Sequence, residues 1–121
     1  MDGRRETGRR GEDVAAAFVA GLGYRIVVRN FRCRAGEIDV VAIDGDTVVF
    51  VEVRARAGRG FGTPLESVDG RKQAQVGRVA RHFLSVRGWH ERAARFDVVG
   101  VRLDVDPPAV EHVRGAFDLI G

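Results

Sequence analysis

Apolar positions along the chain follow two spacings, and each spacing predicts a type of secondary structure. Between Glu12 and Leu22 they recur every third or fourth residue, as on one face of an α-helix, and Gly23 follows as a C-cap. A second stripe of this kind predicts a helix from Ser67 or Arg71 to Val86. The first stripe is predicted to be centred on Val14, Phe18 and Leu22, widened by Ala15 and Val19.

Segments rich in Val and Ile predict strands before and after the second helix. The strongest signal is the tight-turn sequence Asp44-Gly45-Asp46 between two apolar runs, which predicts a β-hairpin over Gly36–Arg56. The other predicted strands are Tyr24–Phe31, Ala94–Leu103 and a short one at Ala109–Val113. The order αβββαβ(β) predicts a single-domain α/β fold in which helices flank a central mixed β-sheet.

Each strand of the hairpin carries an acid where an apolar residue is expected. Asp39 and Glu52 both stand between two aliphatic residues, and a carboxylate there is costly to desolvate without a metal ion or a cationic partner. A two-residue loop, Gly45-Asp46, would put Asp39 directly opposite Glu52, whereas an odd-numbered loop would separate them. We expect the even loop, which brings both carboxylates within reach of one cation.

Strict alternation assigns the side chains of the first hairpin strand to two faces. One face is expected to hold Glu37, Asp39, Val41 and Ile43. The other, apolar and suited to packing against a helix, is expected to hold Ile38, Val40 and Ala42. Glu37 is interpreted as a solvated acid at the strand end, and Asp97 in the later strand as a structural residue.

Composition is that of an ordinary globular protein. The 121 residues, 45% hydrophobic and 31% charged, suffice for one core. No apolar run approaches membrane-spanning length and the Arg- and Glu-rich start does not resemble a signal peptide, so no membrane association is expected. Because Cys33 is the only cysteine, a reducing, cytoplasmic location is expected.

The basic charge of the chain suggests a polyanionic partner without requiring one. The formal net charge is +3, and Lys72 is the only lysine among twenty Lys and Arg residues. Residues 1–11 include Arg9 and Arg10 and are interpreted as a flexible basic arm that contacts phosphates, ahead of a single domain at 12–121. The alternative is a frayed terminus with solvated charges.

The glycine-rich stretch Ala57–Pro64 has no periodicity. It lacks the Gly-Lys-Ser/Thr ending of a phosphate-binding P-loop, so we interpret it as a mobile lid or a nucleic-acid-contacting loop. Arg56 before it and Arg59 within it are candidate nucleic-acid-binding residues. The three histidines have no metal-like spacing with Cys33 or with each other, which argues against a zinc site.

The order Asp39…Glu52-Val53-Arg54 resembles the signature of the PD-(D/E)xK nuclease superfamily, which has the restriction-endonuclease-like fold. In that superfamily two acids bind Mg²⁺ with help from the carbonyl of the residue between the acid and a lysine. By resemblance the metal ligands are Asp39, Glu52 and Val53. Arg54 stands where the superfamily usually has lysine. Arginine stays protonated and cannot act as a base, although it can orient water or stabilise charge on a phosphate.

A longer set of motifs resembles the bacterial YraN-like family, which is itself predicted to be nuclease-like. The resemblance spans about Gly8 to Phe117. It is carried by Gly11-Glu12, Gly23-Tyr24, Arg29-Asn30, Gly36-Glu37-Ile38-Asp39, Val49-Phe50-Val51-Glu52-Val53, Lys72 and Arg95-Phe96-Asp97-Val98-Val99. Each motif alone is short, and their common order and spacing identify the family.

Phosphodiester hydrolysis explains why such residues are needed. A metal ion neutralises the phosphate, lowers the pKa of the attacking water and stabilises the leaving oxygen, and Mg²⁺ (or Mn²⁺) takes oxygen ligands. Asp39 and Glu52 would supply the acid pair, and Glu12 is expected to hold a water on the metal or a second metal. Lys72 continues the buried stripe of the second helix, so we hypothesise that it supplies the ammonium missing at Arg54.

Three functions remain open on the sequence alone. The first is a Mg²⁺-dependent nuclease acting on DNA more than RNA, including branched or damaged forms; analogy with junction resolvases adds the expectation of a homodimer. The second is a nucleic-acid-binding module of the same fold, catalytically impaired at Arg54. The third is a protein-interaction domain in which Asp39 and Glu52 only form salt bridges with Arg54 and Arg56.

Overall fold

The computed structural model describes residues 3–58 and 63–118, which form a five-stranded sheet with one helix on each face. The elements are α1 (Gly3–Gly21), β1 (Arg25–Cys33), β2 (Gly36–Asp44), β3 (Thr47–Arg56), a 3₁₀ turn (Leu65–Ser67), α2 (Gly70–Arg87), β4 (Ala94–Arg102) and β5 (Ala109–Phe117). The strand order is β1-β2-β3-β4-β5, with β3 and β4 parallel and the other neighbours antiparallel. The single-domain α/β prediction with a mixed sheet is therefore confirmed, and β5 ends at Phe117 instead of Val113.

β2 and β3 form the predicted hairpin. The loop between them is Gly45-Asp46, so the expected even register is confirmed. Regular pairing of the two strands ends at Val40 and Val51, and the next pair in this register is Asp39 and Glu52. The two acids therefore stand where the two strands stop pairing.

α1 begins at Gly3, so most of the segment interpreted as an arm is helical. Gly11 lies against Ala55 of β3, and a Cβ at position 11 would overlap the Ala55 methyl. This close approach fixes the distance between helix and sheet one residue before Glu12. The role of residues 1–11 as a phosphate-contacting arm stays a prediction.

The buried stripe of α1 is rotated from its predicted centre. Ala15 and Val19 are fully buried, whereas Phe18 is half-buried and Leu22 is 49% exposed. Leu22 lies beyond the last helical residue, in the turn closed by Gly23, whose φ is 95°. The prediction extended the helical spacing of apolar residues to Leu22, and it therefore overestimated the length of the buried helical face.

α2 covers the opposite face of the sheet and starts between the two predicted positions. The Asp69 side chain accepts a hydrogen bond from the Lys72 backbone N–H at 2.9 Å, and Gly88 closes the helix in the left-handed conformation with φ 67°. The buried residues of α2 are Val76, Gly77, Val79, Ala80, Phe83 and Leu84. The predicted apolar stripe is thus confirmed.

Strict alternation fails at the start of β2. Ile38 and Val41 both pack in the core beneath α2, whereas Val40 packs in the core beneath α1. The expectation that Ile38 shares a face with Val40 is therefore wrong. The register sets Asn30 of β1 opposite Asp39, and Asn30 has a left-handed φ of 54° that disturbs the pleat at this point.

Two further predictions from the sequence concern the glycine-rich stretch and membrane association. Arg59 and half of the glycine-rich stretch, residues 59–62, lie outside the described residues, so the lid interpretation stays a prediction. In the described ranges, neither helix combines the length and the apolar character required to cross a bilayer.

Candidate functional site

Asp39 stands at the fork where β2 and β3 separate. Its Oδ2 accepts a hydrogen bond of 2.8 Å from the Val53 backbone N–H. The carboxylate therefore takes the place of a backbone partner beyond the last regular pair of the two strands. This bond fixes the side chain beside Glu52, which is itself buried with 4% of its surface exposed.

The charge of Asp39 is poorly stabilised by the protein. Burial and the neighbouring Glu52 carboxylate raise its pKa to about 8, and Glu12 adds to the effect, although the Val53 N–H opposes it. An aspartate in a simple salt bridge has its pKa shifted in the opposite direction. This observation counts against the interpretation of Asp39 as a member of an ion-pair network with Arg54 and Arg56.

Three carboxylates from two elements converge near the fork. One carboxylate oxygen from each of Glu12, Glu37 and Asp39 lies within 4.8 Å of the others. The Asn30 amide bridges two of them, donating to Glu12 Oε1 at 2.7 Å and to Glu37 Oε1 at 3.1 Å. The cluster offers the hard oxygen ligands that Mg²⁺ and Mn²⁺ prefer.

Glu37 in the cluster and Asn30 beside it were not among the site residues predicted from the sequence. Glu37 was interpreted as a solvated acid, but it is half-buried and also accepts a 2.7 Å hydrogen bond from Arg32 Nε. Its spacing of two residues from Asp39 was an available signal. Asn30 could have been suspected because asparagine tolerates left-handed φ, yet nothing local placed it opposite Asp39.

Two cations approach Glu52. Lys72 Nζ lies 3.4 Å and Arg54 Nη2 3.7 Å from Glu52 Oε2. The side-chain carbonyl of Gln75 accepts from Lys72 Nζ at 3.5 Å, while the Gln75 amide donates to the Ala35 carbonyl at 3.1 Å. The sequence hypothesis that Lys72 points from α2 toward the hairpin acids therefore agrees with the geometry.

Basic grooves lie on both sides of the acids. One, of about 610 Å³, is lined by Arg5, Gly8, Arg9, Glu12, Arg29, Asn30, Arg32 and Glu37. Another, of about 410 Å³, is lined by Asp69, Arg71, Lys72, Gln75 and Arg78. Arg9 thus borders the acid cluster, whereas Arg10 is exposed on α1 and outside both linings. Arg56 lines a separate cavity beside Arg54.

Asp97 belongs to a different, structural network. Burial alone would raise its pKa, but hydrogen bonds from Arg95, His112 and the Gly115 N–H hold the pKa below the ordinary value. Arg95, whose own pKa is raised chiefly by the Asp97 bond, also donates to the Tyr24 hydroxyl at 2.7 Å. The network joins β4, β5 and the residue that follows the α1 turn, as expected of a buried cross-link.

Comparison with known proteins gives a consistent assignment. The profile of the uncharacterised protein family UPF0102 matches residues 11–101. A UPF0102 protein of Moorella thermoacetica is 52% identical over 116 residues, covering 94% of this chain and 97% of its own length. A second, from Geobacter sulfurreducens, is 49% identical over 113 residues, covering 93% and 88%. The chain therefore belongs to the uncharacterised protein family UPF0102, which agrees with its YraN-like resemblance.

Proposed function

We propose that this protein is a metal-dependent nuclease with a restriction-endonuclease-like fold that hydrolyses phosphodiester bonds in DNA. The observation that carries the proposal is the half-buried Asp39, which lies in a cluster with Glu12 and Glu37 and whose negative charge is destabilised by desolvation and by the neighbouring carboxylates. A divalent cation would offset the repulsion among these acids. The single cysteine and the soluble composition support action in the cytoplasm.

The donor set fits Mg²⁺ or Mn²⁺. Asp39 is the shared ligand, with Glu52 and the Val53 carbonyl as its partners on β3 and with Glu12 and Glu37 as further acids near it. When bound, the ion would supply Lewis-acid stabilisation of the phosphate and a lowered pKa for the attacking water. Carboxylates held by backbone and amide hydrogen bonds, as Asp39 and Glu37 are, are preorganised for this task.

The cations beside Glu52 would act on the phosphate and the attacking water. Lys72 carries three donors on a compact ammonium and can orient a water or offset charge that develops on the phosphate. Arg54 adds a second positive group from β3 and keeps its proton throughout. Lys72 and Arg54 together would perform the role that a single lysine performs in the superfamily signature.

The charge distribution supports a polyanionic substrate. The grooves beside the acids bring Arg5, Arg9, Arg29 and Arg32 to one side, and Arg71 and Arg78 to the other. Cations that flank a cluster of acids can hold a phosphate backbone across the acids, where bare carboxylates would repel it. DNA in branched or damaged form, bound by a homodimer, remains the substrate that we expect.

The proposal is tested by cleavage of a panel of nucleic acids. Single-stranded, duplex, flap and four-way-junction forms of DNA and RNA are incubated with Mg²⁺, Mn²⁺ or EDTA. Asp39→Ala and Glu52→Ala proteins run alongside, and Asp13→Ala, which removes an exposed acid next to Glu12, is the matched control. We expect metal-dependent cleavage that both site variants lose and the control retains.

A binding module without catalysis is the second candidate, favoured by arginine at position 54. Salt-sensitive DNA binding with no cleavage of any panel member would support it against the nuclease. If the protein neither binds nor cleaves any nucleic acid of the panel, the interpretation as a protein-interaction domain would be favoured instead.

A further inference from the structure

A cavity of about 300 Å³ lies beside the candidate site, between the ends of three strands and the segment before the 3₁₀ turn. Its lining comes from β3, from residues 100–102 of β4, from residues 109–111 of β5, and from Thr63 and Pro64. The acid cluster and the basic grooves do not account for it. Its volume is at the lower end of the range of about 300–1,000 Å³ for small-molecule sites.

Arg54 connects this cavity to the acids. Its Nη2 lies 3.7 Å from Glu52, and the same side chain lines the cavity. Arg54 Nε is the one buried side-chain nitrogen or oxygen without a hydrogen-bond partner among the residues that the structure describes. The Arg54 side chain as a whole is 32% exposed, so its guanidinium can donate hydrogen bonds to a molecule bound in the cavity.

The remaining walls combine apolar surface with charged groups, of which Arg56 and Arg102 are basic and Glu111 is acidic. Gly100 is covered by the Pro64 ring, and a Cβ at position 100 would collide with that ring, so the backbone and proline together make a flat wall. Val110 and Ala109 extend the apolar surface, and Arg102 lies at the rim, where Asp104 holds its guanidinium at 2.9 Å. A flat apolar wall next to guanidinium groups suits a planar heterocycle attached to a phosphate.

We propose that this cavity receives the base of one nucleotide of the bound strand, with Arg54 between that nucleotide and the phosphate at the acids. The inference rests on the proposed function, because it specifies the substrate class of the same site. A base enters such a cavity only when it is unstacked and unpaired. The preferred substrate is therefore DNA with a single-stranded segment, an end or a flap, and a continuous duplex is disfavoured.

Ala109→Trp tests the cavity without altering the acids. Ala109 is exposed at the start of β5, so the larger side chain can be accommodated while it fills the cavity. Val86→Trp, on an exposed position of α2, is the matched control. Ala109→Leu is a smaller filling that repeats the test if the tryptophan variant does not fold.

Binding is measured by NMR titration in EDTA, with deoxyadenosine 5′-monophosphate and deoxyribose 5-phosphate as probes. We expect the nucleotide to bind at least about fivefold more tightly than the sugar phosphate, as base contacts of this kind allow. Ala109→Trp should remove that preference, and Val86→Trp should keep it. Equal binding of both probes, or an unchanged preference in Ala109→Trp, would overturn the proposal.

A second titration in EDTA addresses the substrate class. We expect Ala109→Trp to weaken binding of a single-stranded oligonucleotide by about fivefold and to leave binding of its blunt duplex unchanged. Equal losses for both forms would contradict a base-receiving cavity. These titrations contain no metal and measure no cleavage, so their results are independent of the cleavage panel. A protein that cleaves nothing could still show the base preference, and an active nuclease could lack it.

Discussion

Lys72 Nζ, on α2, lies 3.4 Å from Glu52 Oε2, on β3. Arg54 approaches the same oxygen at 3.7 Å from within β3. Lys72 on α2 therefore contacts Glu52. In the superfamily signature, the lysine that contacts this acid would stand at position 54 of β3. This geometry supports the hypothesis that an ammonium group has moved from the strand to the helix.

We expect Lys72→Ala to lower the rate of metal-dependent cleavage by about 100-fold, the typical effect of removing one charge-stabilising donor. Single-turnover rates at saturating substrate measure this effect. Lys72→Arg keeps the charge and should retain more activity than Lys72→Ala, and circular dichroism checks that both variants fold. A Lys72→Ala protein with the wild-type rate would refute the role of this lysine.

Gly11→Ala should lower the free energy of unfolding by about 1–3 kcal/mol, because its Cβ would overlap the Ala55 methyl on a strand that cannot rotate away. Gly8→Ala is the matched control on the same helix. Nothing lies within 4 Å of a Cβ at Gly8, so this substitution should stabilise the protein by up to about 1 kcal/mol. Urea unfolding of both variants measures the difference. Equal effects would show that the contact of α1 with β3 does not depend on Gly11.

Asp39 should make the metal-free protein less stable as the pH rises. Its pKa is about 8 in the folded protein and near 3.8 in the unfolded chain. Between these values the folded state binds more protons, so this group's contribution to stability falls as pH increases from about 4 to about 8. Asp39→Asn keeps an acceptor for the Val53 N–H and does not ionise, so its Tm advantage over wild type should grow across that interval in EDTA. A constant Tm difference would contradict the raised pKa.

Asp97 should show the opposite dependence. Its pKa is lowered in the folded state, so the stability that it contributes is present at neutral pH and is lost as the pH falls below the ordinary value of 3.8. Asp97→Asn leaves Arg95 without its buried partner and should cost on the order of 3 kcal/mol at pH 7. Thermal unfolding between pH 3 and pH 7 measures both effects, since the penalty should shrink in acid. A penalty independent of pH would show that the charge of Asp97 does not stabilise the fold.

The sequence predicted the fold well where local signals were sufficient. The Asp44-Gly45-Asp46 turn determined the even loop, and the helical period identified α2 and its buried face. The same reasoning failed for Ile38, because it assumed a regular pleat. The irregularity lies opposite the left-handed Asn30 on the neighbouring strand, which no pattern within β2 reveals.

The site was predicted in part for a related reason. Asp39 and Glu52 stood out because acids are unexpected in aliphatic strands, and Lys72 because it continued a buried stripe. Glu37 was missed because an acid at a strand end is usually solvated, whereas here one of its oxygens lies within 4.8 Å of carboxylate oxygens of Glu12 on α1 and Asp39. Contacts between distant elements thus decided what alternation and periodicity could not.

Binding of Mn²⁺ to the metal-free protein tests the central claim most directly. Electron paramagnetic resonance measures free Mn²⁺ as wild type, Asp39→Ala and Asp13→Ala proteins are titrated at pH 8. We expect wild type and Asp13→Ala to bind Mn²⁺ with similar affinity, and Asp39→Ala to lose at least about tenfold, in line with the loss of a metal ligand. No Mn²⁺ binding by wild type, or equal binding by Asp39→Ala, would contradict a metal site at the fork of β2 and β3.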